Sequence, residues 1–442
     1  MSAYIKEKTI NSNVDHKTKT QILIFLTIVS SCLGEVINIF GIKISWIFAF
    51  LTVVFFFIDN QKLFTFKTKK VQIVFWFFLF WICYATVQLL FTNFNSNATT
   101  FYVILLINVF LVIMILLNAK SINDLVFFNK ALILGLYINL IIAIWEILTG
   151  RHLVSLNAGL AFSDKAHGAF GNINDLSTFI AFGVFSVIMD LALTHKHILS
   201  SIIIIIVSFY TVTKTNSRAP LYGLIILAIF WLLFELMLIV YKQGKEYFNL
   251  LMFFMVSILV ILSVMVFQRY NLEQLVLIIS SSGNEKSDLL RLQLSKEAIS
   301  IFNDSYFLGV GPGQSVTLLG INVHNFFLEI LSEYGLIVIG VIAIFVSTFK
   351  AYKTNLPHYT VALFMAFIPF FTMVSISSSG ANRLRITWVL LIIIFLVVDF
   401  KNNTSSSITL DKESNTHKST FSYFKNNSKK DLPKGKQNKY AN

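Results

Sequence analysis

Apolar runs of roughly 20 residues follow one another from Gln21 to Phe400, separated mostly by short polar interruptions. An α-helix rises about 1.5 Å per residue, so a run of that length crosses the hydrocarbon core of a bilayer. A soluble domain carries about 25% charged residues. This chain carries 13%, and 56% of it is hydrophobic. It therefore reads as an all-α polytopic membrane protein. Twelve transmembrane helices can be drawn, near 21–39, 44–58, 71–92, 101–118, 125–148, 175–193, 198–213, 219–241, 249–267, 324–348, 358–376 and 384–400. The first two are tight and 198–213 is short, so one pair could instead be a re-entrant hairpin. Cys32 and Cys83 both sit inside apolar runs, which leaves no disulfide framework or zinc-ribbon spacing.

Charge orients these spans. The N-terminal 1–20 segment and the loops near 59–70, 119–124, 194–197, 242–248 and 349–357 are short and lysine-bearing, whereas the loop "NFNSNATT" carries no charge. The positive-inside rule then places both termini in the cytoplasm of a multi-pass plasma (inner) membrane protein. The net charge of +13 follows from the same topology and does not call for nucleic acid. The organisation expected is a cytoplasmic segment 1–20, nine helices over 21–267, a large extracytoplasmic loop over 268–323, three helices over 324–400, and a disordered basic tail over 401–442. Within the large loop, "SDLLRLQLSKEAISIF" spaces Leu289, Leu292, Ile299 and Phe302 as an amphipathic helix lying on the membrane.

The chain has six arginines, at 151, 218, 269, 291, 383 and 385, and all fall in loops or span ends placed outside. Guanidinium binds phosphate and carboxylate bidentately and keeps its charge when partly desolvated. An outer face that gathers arginine against the positive-inside trend points to an anionic ligand there. Arg218 opens a span just after Ser217 and before Pro220. A cation at a helix N-terminus is opposed by the helix dipole, and the same N-terminus attracts an anion, so this corner suits a phosphate.

Two motifs lie within "FLGVGPGQSVTLLGINVHNFFLEILSEYG". "GVGPGQ" lacks the lysine of a phosphate-binding P-loop and has no strand before it, which excludes that reading. Gly309, Gly311 and Gly313 permit a tight turn, with Pro312 stiffening it. His324 opens the tenth span on the outer side. "HNFFLEILSE" is not H-E-x-x-H, the "HKH" at 195–197 falls in a cytoplasmic turn, and His152 and His167 look isolated, so no metal is expected.

Taken together, these segments resemble the O-antigen ligase and polymerase family. "VHNFFLEILSEYGLIVIG" is similar to its H-N-x-F-L-x-x-L-x-E-x-G-L-x-G run, and "TKTNSRAPLYG" to its T-x-S-R-x-x-x-x-G segment with Arg218 at the arginine. "LLRLQLSKEAISIFNDSYFLGVG" resembles the region that joins an arginine, here Arg291, to the glycine turn, with Tyr306 or Phe307 in place of the usual proline. "FGNINDLSTF" resembles an N-P-N-x-x-A segment with Ile173 in place of the proline. The likeness covers about residues 165–340.

The resemblance implies a GT-C-like membrane glycosyltransferase without cofactors. Its reaction would be metal-independent, inverting glycosyl transfer on the outer face from an undecaprenyl-pyrophosphate-linked oligosaccharide, by a polymerase for exopolysaccharide, capsule or O-antigen. A flippase and a chain-length regulator would be its partners. Arg218 and Arg291 would hold the pyrophosphate. His324 would activate the acceptor hydroxyl or bind phosphate as a cation. Asn174, Gly311, Gly313, Arg151, Arg383 and Arg385 are further substrate-binding candidates. A ligase that moves finished glycan to a surface acceptor shares these motifs. A lipid-linked sugar transporter would instead want ionisable residues in mid-span; Glu146, Asp190 and Glu235 can each be placed near a span end.

Overall fold

The computed structural model describes residues 17–33, 38–39, 42–59, 66–92, 94–153, 165–170, 172–215, 217–243, 285–375 and 384–403. Their regular structure is helical apart from a ribbon of two antiparallel two-residue strands, β1 (Asn38–Ile39) paired with β2 (Ile42–Lys43). The helices are α1 (Lys19–Cys32), α2 (Ile44–Asp59), α3 (Lys69–Phe91), α4 (Ser96–Asn118), α5 (Ile122–Thr149), α6 (Ile173–Thr194), α7 (Ile198–Thr215) and α8 (Arg218–Gln243). They continue with α9 (Glu285–Asp304), α10 (Gln314–Leu319), α11 (Phe326–Tyr334), α12 (Ile337–Thr348), α13 (His358–Ser375) and α14 (Arg385–Asn403). Eight are long and apolar enough to cross a membrane, and α1 and α2 are shorter apolar helices.

One expectation changes. The span drawn at 324–348 is not one helix but two, α11 and α12, of 9 and 12 residues, broken at Gly335. The chain turns there through a left-handed glycine (φ 62°), and the backbone of Phe307 and Leu308 packs where a side chain would stand. The expected helix within the large loop exists as α9. Leu294 and Ala298 are buried, while Leu289 and Ile299 are exposed. The span at 249–267, the 268–284 half of the large loop and the 404–442 tail lie outside the described residues.

Local sequence explains where the helices begin. Thr18 and Ser121 form capping boxes with Gln21 and Asp124, and Thr68, Asn95, Asn172 and Asn325 each accept backbone N–H groups of the first turn. α14 is buried along almost its whole length, from Ile386 to Phe400. Aromatic rings knit it to its neighbours: Trp81 of α3 lies 5.4 Å from Tyr334 of α11 and 5.5 Å from Trp388 of α14, and Phe326 of α11 lies 5.4 Å from Trp388. α7 and α8 turn Ile203, Ile206, Leu232 and Leu236 outward. Apolar residues around the full circumference of such helices mark a face for lipid.

Polar contacts gather the lysine-bearing loops at one end of the bundle. Lys17 pairs with Asp124 at 2.6 Å, Lys67 donates to the carbonyl of Lys120 at 2.8 Å, and Asp399 receives Thr68 at 2.6 Å and Lys70 at 3.3 Å. His195 and Tyr359 meet at that same end, 2.9 Å apart.

Candidate functional site

The opposite end collects most of the residues singled out from sequence. α8 begins at Arg218, which is half-buried. Directly before it, Ser217 donates to the side-chain oxygen of Asn174 at 3.0 Å, so two segments 43 residues apart meet at the starts of α6 and α8. Gly223 then lets α8 close on Val374 in the last turn of α13. Arg218 is five residues from that contact, about 7 Å along the helix axis.

Two residues before Phe326, which packs on α13, lies His324. It stands just before α11 with φ 57°, a left-handed backbone that a non-glycine residue seldom adopts. Asn325 next to it accepts from the N–H groups of Phe327 and Leu328, both at 3.1 Å, which fixes where α11 starts. Phe326 packs on Phe371 of α13 with ring centres 5.1 Å apart. Phe371 and Val374 are one turn apart, so the end of α13 anchors both the Arg218 corner and the His324 turn. Arg291 sits on α9 at i, i+3 and i+7 with Leu294 and Ala298, the two buried residues of that helix, and α9 packs against α11. Its position is thus on the inward stripe of α9. Leu289 and Ile299 are exposed on the same helix.

The glycine turn has a different task from a phosphate cradle. The last carbonyls of α11 lose their helical partners at the Gly335 break. Val310 N–H donates to the Ser332 carbonyl and Gly311 N–H to the Glu333 carbonyl, both at 2.9 Å, and Leu336 N–H donates back to Phe307 at 3.2 Å. The Gln88 amide of α3 adds bonds to the carbonyls of Leu308 (3.0 Å), Gly309 (3.3 Å) and Glu333 (3.1 Å). Ser315 donates to the buried Glu333 carboxyl at 2.7 Å. Gly313 closes on the backbone of Asn97 at the start of α4. Gln88, Asn97 and Ser315 carried no signal in the sequence, because their partners lie far away along the chain.

The other candidates are dispersed. Arg151 is exposed at the end of α5, where its N–H donates to Thr149 Oγ1 at 3.2 Å. Arg385 opens α14 and donates to Ser45 Oγ at 3.1 Å. Arg383 and Arg269 lie outside the described residues. His152 and His167, read as isolated, are not: their Nδ1 atoms are 3.2 Å apart, and Glu146 lies beside both. Burial and the neighbouring His152 hold the His167 imidazole below its ordinary pKa, against the opposing pull of Glu146.

Residues 203–344 match a family model described as O-antigen ligase. The match covers about a third of the chain. The matched segment includes Arg218, Arg291 and His324. The teichuronic acid biosynthesis protein TuaE of Bacillus subtilis (strain 168) is similar to this chain, 24% identical over 349 residues, covering 73% of this chain and 71% of that protein. With eight long apolar helices the chain is a multi-pass membrane protein, and it is similar to an O-antigen ligase model and to a teichuronic acid biosynthesis protein.

Proposed function

We propose that the chain polymerises undecaprenyl-pyrophosphate-linked oligosaccharide repeat units on the outer face of the plasma membrane, by metal-independent, inverting glycosyl transfer. The observation that carries this reading is the convergence on the end of α13: Arg218 with Asn174 on one side, His324 on the other, and Arg291 on the helix packed against α11. Departure of the pyrophosphate concentrates negative charge on its oxygens. Guanidiniums fixed at the site stabilise that charge, and removal of one such group costs about 10²–10³ in rate. The acceptor hydroxyl attacks the anomeric carbon from the opposite side as its proton leaves. A histidine near neutral pKa takes that proton, a contribution of about 10²–10⁴-fold.

Support also comes from the likeness to a protein named for teichuronic acid biosynthesis. A second reading, a ligase that transfers finished glycan to a surface acceptor, is favoured by the match of residues 203–344 to an O-antigen ligase model. In this scheme both termini are cytoplasmic, with a flippase and a chain-length regulator as partners.

Arg291→Lys keeps the charge and removes the bidentate fork. In cells making the polymer, it is expected to abolish long chains while the protein remains inserted in the membrane. Normal polymer from that variant would overturn the assignment of Arg291. The accumulating intermediate separates the two activities: single repeat units on the lipid carrier mark a polymerase, and long unattached chains on the carrier mark a ligase.

A further inference from the structure

Away from the end of α13, one cluster has the composition and spacing of a metal site. Glu146 lies in the last turn of α5, His152 just after it, and His167 in the turn that leads to α6. One donor atom from each lies within 4.8 Å of the others. The two imidazole Nδ1 atoms are 3.2 Å apart, and Glu146 Oε1 is 3.7 Å from that of His152. Two nitrogens bound tetrahedrally to zinc at about 2.0–2.1 Å stand about 3.3 Å apart. The histidine pair already has that separation, and the carboxylate lies within 4.8 Å of both imidazoles.

The surroundings hold the donors in place. Glu146 and His167 are buried. Glu146 Oε2 accepts the N–H groups of His167 and Gly168, both at 2.7 Å, and Oε1 accepts that of Leu153 at 3.3 Å. Such bonds orient a ligating carboxylate and leave lone pairs for an ion. Imidazole and carboxylate donors suit zinc among the divalent ions of the first transition row.

We propose that Glu146, His152 and His167 bind a divalent transition ion of the zinc class as a structural clip. The ion joins the end of α5 to the turn before α6. That turn packs Gly168 against Leu176, one helical turn from Leu176 to the start of α6 where Asn174 meets Ser217. The clip closes the loop between His152 and His167, which are 15 residues apart, and so lowers the conformational entropy of the open chain. It takes no part in the transfer step, and it stands or falls independently of the proposed polymerase activity.

The test uses the full chain purified in detergent, without a histidine tag, stripped with chelator and then dialysed against Zn²⁺ alone. Elemental analysis is expected to find about one zinc per chain. His152→Ala and His167→Ala are each expected to lower retained zinc by about tenfold or more, while His197→Ala at the other end retains it. Zn²⁺ is expected to raise the unfolding temperature of the native chain and not that of His152→Ala, whose side chain is only half-buried and whose folding is least at risk. Native protein that holds no more zinc than His152→Ala, and that Zn²⁺ does not stabilise, would show the pair to be an imidazole–imidazole hydrogen bond and overturn the proposal.

Discussion

His324 is the residue on which local sequence and tertiary structure converge. Its motif was visible in "VHNFFLE", but its left-handed backbone was not. Strained non-glycine positions persist only where the surroundings hold them, and they concentrate at functional sites. Here Asn325 capping α11 and Phe326 packed on Phe371 supply that hold. His324→Ala is expected to lower turnover by about 10²–10⁴-fold in a reconstituted transfer assay without lowering the unfolding temperature. Turnover within twofold of the native chain would remove the histidine from the chemistry. Arg218 was legible from its place at a helix start. Its tie to Asn174 through Ser217 was not, because a bond across 43 residues leaves no local pattern.

At the scale of elements, the glycine turn and the broken helix explain one another. An apolar run of 25 residues, 324–348, reads as one span, because hydropathy does not register a break whose carbonyls are satisfied from elsewhere. Backbone interrupted at membrane depth survives only when protein groups replace the lost hydrogen bonds. The 307–311 turn and Gln88 supply those groups. Gln88→Leu keeps most of the bulk and removes the donor. It is expected to destabilise the protein by about 1–3 kcal/mol, read as a lower unfolding temperature in detergent. Gly335→Ala places a methyl group against the Phe307–Leu308 backbone at a positive φ, and is expected to cost more than about 1 kcal/mol. A variant as stable as the native chain would mean that the break is not locked as described. For α9, period alone established a helix, but several apolar residues lie on different sides of it. Only packing against α11 selected the stripe of Arg291, Leu294 and Ala298.

For the whole molecule, the contacts sort the loops into two ends. One holds Lys17, Lys67, Lys70, His195 and Tyr359, and the other holds Arg218, His324 and the glycine turn. That division matches the lysine asymmetry, and by the positive-inside rule we propose that the lysine end is cytoplasmic. In a Cys83→Ala background, with Cys32 buried, cysteines at 291 and 324 are expected to react with an impermeant maleimide on intact cells. A cysteine at 70 is expected to react only after permeabilisation. The reverse pattern would invert the topology and remove the outer-face chemistry with it.

The sequence by itself determined the membrane class, the helix starts, the alternation of charged and uncharged loops, and the motif residues Arg218, Arg291 and His324. Each is encoded over one or two helical turns, in apolar run length, capping side chains or charge. Tertiary structure alone decided the break at Gly335, the inward stripe of α9, the meeting of both corners at the end of α13, and the contact of His152 with His167. Each of these depends on hydrogen bonds or packing between residues far apart in the chain, where no local periodicity carries the information.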